Sequence, residues 1–115
     1  MTHITGKYHF IGIGGIGMSG LAKLLIRNGS SVTGSDQEET EVVVNLRNMG
    51  SDVKIGHSAE NIDLPVQAVV ISAAIKESNP ELKFARENGC KVYKYAEMLG
   101  AMMDEYEGVA VSGTH

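Results

Sequence analysis

The sequence predicts an α/β fold: a doubly wound parallel sheet of five strands, in the order 3-2-1-4-5, with helices on both faces. Three observations predict it. Strand-like apolar runs alternate with helix-like amphipathic runs along the chain. A glycine run, Gly12-Ile13-Gly14-Gly15-Ile16-Gly17, lies between the first strand-like and the first helix-like run. Ala68-Val69-Val70-Ile71 is continuously apolar, as in a strand buried on both faces of a parallel sheet. Strand, glycine turn and helix together make the phosphate-holding device of Rossmann-like folds, with ligands at the carboxyl ends of the strands, where strands one and four diverge.

The elements follow in order. Tyr8 to Ile13 is the first strand and Met18 to Asn28 the first helix. Met18, Leu21, Leu24 and Leu25 recur at three- and four-residue spacing and share a helix face. Gly29 stands where a left-handed residue ends a helix. Ser31 to Gly34 is the second strand, running out into Ser35-Asp36. A helix over about Glu39 to Met49 has Val42, Val43, Leu46 and Met49 as its apolar face. Glu38, Glu39 and Glu41 suit its N-terminal dipole, and Gly50 stops it. Asp52 to Ile55 is the third strand, and His57 to Asn61 a turn or a single helical turn. Ala68 to Ser72 is the fourth strand. Asn79 suits a helix cap and Pro80 the first helical position of a helix that runs to Asn88 and ends at Gly89. Lys91 to Lys94 is the fifth strand, Tyr95 to Met103 the last helix, and Val109 to Ser112 a sixth strand-like run.

Composition narrows the function. A hydrophobic content of 43% in 115 residues supports one ordinary core rather than a disordered chain. The formal net charge is −4, and the lysines and arginines are scattered, so nucleic acid has no electrostatic footprint to bind. No apolar run is long enough to span a bilayer, and the first residues are too short and polar a stretch for a secretory signal. A cytoplasmic protein with no membrane partner is expected. Cys90 is the only cysteine, which excludes an internal disulfide; entering a short apolar strand, it reads as a small core residue.

Gly12, Gly14 and Gly17 satisfy the G-x-G-x-x-G pattern: the first for a tight turn, the second for close approach of a diphosphate, the third for packing of helix on strand. No lysine or arginine adjoins the run, so a phosphate must be held by backbone N–H groups. Asp36 follows Gly17 by 19 residues (36 − 17), where an acidic residue takes a ribose hydroxyl; it reads equally as a surface aspartate capping the next helix. His57 beyond the third strand and Ser72-Ala73-Ala74 at the end of the fourth reach the same edge of the sheet. His57 is either a ligand contact or an ordinary loop histidine. His9 reads as a hydrogen-bonded residue of the sheet, and Met98, Met102 and Met103 as core. No histidine or carboxylate cluster has metal-ligand spacing, and no catalytic triad or carboxylate pair stands out. The segment reads as one that holds a nucleotide diphosphate.

The stretch His9 to Ala22, with Gly15 and Met18-Ser19 as its discriminating residues, resembles the opening of the Mur ligase family, in particular its UDP-N-acetylmuramate–L-alanine ligases. The likeness continues through Gly34-Ser35-Asp36, Gly56 to Asn61, Ser72 to Ile75, Asn79-Pro80-Glu81 and Ala96 to Leu99, and reaches Val111-Ser112-Gly113-Thr114-His115. Tyr95 departs from the pattern, which has a basic residue before Ala-Glu-Met-Leu. The resemblance implies an N-terminal Rossmann-like UDP-substrate-binding domain over residues 1–106. It implies a linker and the start of a central ATP-binding domain over 107–115, with Gly113, Thr114 and His115 as part of an ATP loop. It implies that Gly14, Gly15, Ile16 and Gly17 hold the diphosphate and that Ser35, Asp36, His57, Ser72, Ala73 and Ala74 surround the uridine. The complete enzyme would join L-alanine to UDP-N-acetylmuramate with ATP and Mg2+, in peptidoglycan synthesis. This segment alone, without the ATP-loop lysine, is expected to bind but not to catalyse. The competing expectation is a nicotinamide- or adenine-nucleotide-sensing regulatory domain, which Gly12 to Gly17 with Asp36 would also fit.

Overall fold

The computed structural model describes residues 6–110 of the chain. Its elements are β1 (Lys7–Ile11), α1 (Ile16–Arg27), β2 (Ser31–Asp36), α2 (Glu41–Asn48), β3 (Asp52–Ile55), a 3-10 turn (Ala59–Asn61), β4 (Ala68–Ile71), α3 (Pro80–Glu87), β5 (Val92–Lys94) and α4 (Tyr95–Ala110). The five strands form one sheet in the order β3-β2-β1-β4-β5, and every neighbouring pair is parallel. The predicted topology and the switch between β1 and β4 are both present.

Strand alternation sorts the core into two layers. Tyr8 and Phe10 of β1 and Ala68 and Val70 of β4 face a cluster built with Met18, Leu21 and Leu25 of α1, Val43 and Leu46 of α2, and Met98 and Met102 of α4. Ile11, Val69 and Ile71 point the other way, onto Leu82 and Ala85 of α3 and onto Ile62. β4 is buried at all four positions, as its unbroken apolar run requires. Met103 departs from the expected methionine core: it is 48% exposed, because it lies one position beyond Met102 and so turns off the buried stripe. Cys90 packs half-buried against the second cluster, and burial pushes its thiol up.

Element boundaries follow local chemistry. β1 ends at Ile11 rather than Ile13, because Gly12 turns with φ 86° and the Gly12 and Ile13 amides both donate to the Ser35 carbonyl at 2.9 Å. α2 begins at Glu41 rather than Glu39, because the Thr40 hydroxyl caps it by accepting from Val43 N–H. Asn79 caps α3, accepting from the Glu81 and Leu82 amides at 2.8 and 3.1 Å, with Pro80 at the first helical position as predicted. At the start of α4 the Glu97 carboxylate reaches back to accept from Lys94 N–H at 2.8 Å.

The end of the chain differs from the sequence reading. α4 continues to Ala110, so Val109 and Ala110 are helical where a sixth strand was expected. Continuing α4 pairs the backbone groups of these residues within the helix itself, with no strand neighbour needed. The remainder of that expected strand, and Gly113, Thr114 and His115 of the expected ATP loop, lie outside the described residues.

Candidate functional site

Four loops leave the carboxyl edge of the sheet beside the switch point, and each brings residues to one cleft. The cleft has a volume of about 320 Å³ and is lined by Gly12, Gly14, Gly15, Asp36, Gln37, His57, Ser72, Ala74 and Ile75. A smaller cleft of about 250 Å³ adjoins it, sharing Gln37, His57, Ala74 and Ile75 and adding Lys76, Ser78 and Asn79. Of the candidate site residues, the structure brings Gly14, Gly15, Asp36, His57, Ser72 and Ala74 together in this cleft. Ile16, Gly17, Ser35 and Ala73 stand outside the lining. The Ile16 side chain points to solvent at 97% exposure, and Ser35 is buried beneath the cleft.

The glycine loop meets the start of α1. Gly15 is the N-cap of that helix and offers no side-chain cap, and the first turn holds no acidic residue. The leading amides thus have no intrahelical or capping partner, and they carry the positive end of the helix dipole. That is an anion-binding arrangement made from backbone alone.

Asp36 sits against the loop. Its Oδ2 accepts from Gly14 N–H at 2.8 Å and its Oδ1 from Glu38 N–H at 3.3 Å. Thr40, not Asp36, caps α2, which removes the capping reading of Asp36. A carboxylate here accepts hydroxyl donors and repels phosphate, so a diphosphate would lie on the α1 side and a sugar on the Asp36 side. A Cβ on Gly14 would come within 2.8 Å of Asp36 Oδ2. Gly17 does not pack on a strand as expected. Its added Cβ would lie 2.7 Å from Cζ of Tyr95, so the missing side chain makes room for the ring that opens α4.

Beneath the cleft lies a buried polar chain. His9 and Glu81 are both fully buried, and His9 Nε2 bonds Glu81 Oε2. His9 Nδ1 meets the Thr33 hydroxyl at 2.7 Å. Glu81 Oε1 accepts from Ser58 N–H at 3.1 Å and Asn61 Nδ2 at 3.0 Å, and lies 3.4 Å from His57 Nδ1. That same His57 nitrogen is 3.0 Å from Ser35 Oγ. Burial opposes ionisation of Glu81, but the hydrogen bonds from His9 and Asn61 and the proximity of His9 outweigh it and hold the carboxyl below its ordinary value. His9 is thus the hydrogen-bonded sheet residue that its place in an apolar strand suggests. Glu81 escaped the sequence reading as a site residue. The available signal was its place with Leu82 and Ala85 on the buried stripe of α3, four residues before Ala85. Gln37 and Ile75 are lining residues that carried no signal beyond adjacency to predicted ones.

Among the described residues no group of His, Cys, Asp or Glu could hold a metal ion, and no helix is long and apolar enough to cross a membrane.

A doubly wound parallel sheet with a glycine turn at its switch point defines a Rossmann-like α/β domain. Residues 7–107 match the Mur ligase family, catalytic domain, and the chain belongs to that family. It is 50% identical over 115 residues, all of the chain, to a UDP-N-acetylmuramate–L-alanine ligase of Methylocella silvestris, of which it covers 24%. It is 51% identical over 110 residues, 95% of the chain, to the ligase of the same name from Clostridium botulinum, again covering 24%. The crystal structure of UDP-N-acetylmuramate-alanine ligase from Thermotoga maritima superposes with a TM-score of 0.83 at 35% identity, covering 87% of this chain and 23% of that one. The chain thus spans about a quarter of the length of these relatives.

Proposed function

We propose that this chain is the uridine-nucleotide-binding domain of an ATP-dependent ligase that joins L-alanine to UDP-N-acetylmuramate in the cytoplasm. The observation that carries the reading is the uncapped N-terminus of α1 behind the Gly12 to Gly17 turn, opening beside the cleft at the switch point. The 50% identity to a ligase of that name supports UDP-N-acetylmuramate among the nucleotides such a turn could hold.

In this reading Ile16 and Gly17 offer the diphosphate the uncapped amides of the first turn of α1, while Gly14 and Gly15, whose own amides are bonded to Asp36 Oδ2 and the Gly12 carbonyl, let it approach the backbone. Asp36, His57, Ser72 and Ala74 surround the ribose and uracil. Ser35 acts from below, its hydroxyl on His57 and its carbonyl on the Gly12 and Ile13 amides. Binding relies on oriented amides rather than on attraction at a distance, since the chain itself carries a formal charge of −4. ATP with Mg2+ supplies the phosphoryl group that activates the muramoyl carboxylate for attack by the alanine amine; the residues expected for it, Gly113, Thr114 and His115, are outside the described part of the chain.

Calorimetry tests the reading. UDP-N-acetylmuramate is expected to bind the chain more tightly than NADH does. Equal or tighter binding of NADH would replace the ligase reading with a nicotinamide-sensing one.

A further inference from the structure

The buried pair His9–Glu81 lies outside the cleft lining, yet its carboxylate touches the one histidine that lines both clefts. From this geometry we infer that Glu81 is a positioning residue: it fixes His57 as the Nδ1–H tautomer, so that Nε2 offers a lone pair to a donor N–H of the ligand base.

The argument is one of hydrogen-bond accounting. A carboxylate accepts and does not donate. Glu81 is surrounded by groups that donate: His9 Nε2–H on one oxygen, Ser58 N–H and Asn61 Nδ2–H on the other. His57 Nδ1 is 3.4 Å from that second oxygen. A lone pair on Nδ1 would face the negative charge inside the protein, where such a mismatch is costly; an N–H there is attracted to it. The Ser35 hydroxyl oxygen, 3.0 Å from Nδ1, is able to accept from the same N–H. The carboxylate is kept in place from behind by His9, whose other nitrogen is anchored on Thr33 of β2 at 2.7 Å. The second ring nitrogen of His57 is the one left for the cleft. Protein histidines that relay a carboxylate in this way have their tautomer set by the bond on the far nitrogen. An Nε2 acceptor matches the imide N–H of uracil and mismatches the lone pair that cytosine presents at the same ring position.

Nitrogen-detected spectra of the 115-residue chain test this without ligand, at mildly alkaline pH. His57 is expected to carry its proton on Nδ1; a proton on Nε2 overturns the inference, and this measurement needs no variant. In Glu81→Gln the His57 population is expected to move toward Nε2–H, and an unchanged tautomer in the folded variant also overturns it. Binding gives an independent readout that a merely structural role would not produce. Glu81→Gln should lose about tenfold in affinity for UDP, the worth of one ordinary hydrogen bond, and keep its affinity for inorganic diphosphate, which needs only the glycine turn. Equal losses for both ligands would mark Glu81 as scaffold and overturn the proposal. The binding arm rests on the uridine reading above; wild-type protein that bound diphosphate but not UDP would remove that reading, and the nitrogen spectra would still decide the tautomer.

Discussion

A Cβ added at Gly14 would lie 2.8 Å from Asp36 Oδ2 and 3.5 Å from Val43 Cγ2. The first of these is the far end of a side chain that can swing away, so Gly14→Val should fold, at a cost of about 1–3 kcal/mol for overpacking. The same branched side chain would stand where phosphate oxygens must approach the backbone. The expected outcome is a folded protein with UDP affinity reduced about tenfold or more, measured by calorimetry beside circular dichroism. Unchanged affinity would place the phosphate elsewhere. At this scale the sequence was partly legible. The glycine pattern marked the turn because backbone approach leaves a visible signature, the lack of a side chain. Asp36 was visible as a carboxylate at the right spacing, but its reading as a helix cap could be set aside only once Thr40 was seen to cap α2. Glu81 was not legible, because a buried carboxylate is recognised by its partners, and His9 is 72 positions away.

The elements bring a different kind of evidence. Gly17 lies in the first turn of α1 against the ring of Tyr95, the first residue of α4. Gly17→Ala would ordinarily gain up to about 1 kcal/mol of helix propensity. Here the new Cβ would sit 2.7 Å from Cζ and 3.0 Å from both Cε atoms of that ring. The clash outweighs the gain, so Gly17→Ala should lower the thermal midpoint, by about 1–3 kcal/mol in stability. In a Tyr95→Ala background the same change should become neutral or stabilising. A double-mutant cycle by thermal unfolding reads the coupling directly; additive effects would show that the ring does not set the requirement for glycine. Strand and helix order were readable because periodicity and caps are local: Asn79-Pro80 and the apolar run of β4 each carry their own signal. The end of α4 was not, because Val109-Ala110-Val111 has strand propensity by itself, whereas Val109 and Ala110 continue the helix.

For the whole molecule, Glu81 links stability to pH. Its folded carboxyl titrates below the ordinary value of 4.5, so the ionised form is favoured by folding. The stabilisation is therefore fully present above 4.5 and is lost as pH falls through the lowered folded value. Denaturant unfolding should show the largest gap between wild type and Glu81→Gln near neutral pH, shrinking below 4.5. A gap that stayed constant or widened on acidification would mean that the carboxylate is not the group being stabilised.

The distance along the chain between His9 and Glu81 also has a kinetic consequence. β1 lies beside both β2 and β4, but the first of these pairings closes a short loop and the second a long one. A contact spanning 72 positions can form only after β4 has been laid against β1 and α3 has docked behind it. The entropy of closing so long a loop places it late on the path to the native state. Removing it should leave the refolding rate nearly unchanged and speed unfolding. Stopped-flow chevrons of wild type and Glu81→Gln would show the loss in the unfolding arm; a loss carried by the refolding arm would instead place this buried pair in the folding nucleus. If the loss lies in the unfolding arm, the bond across the switch point acts as a latch, and it governs how long the domain persists once folded.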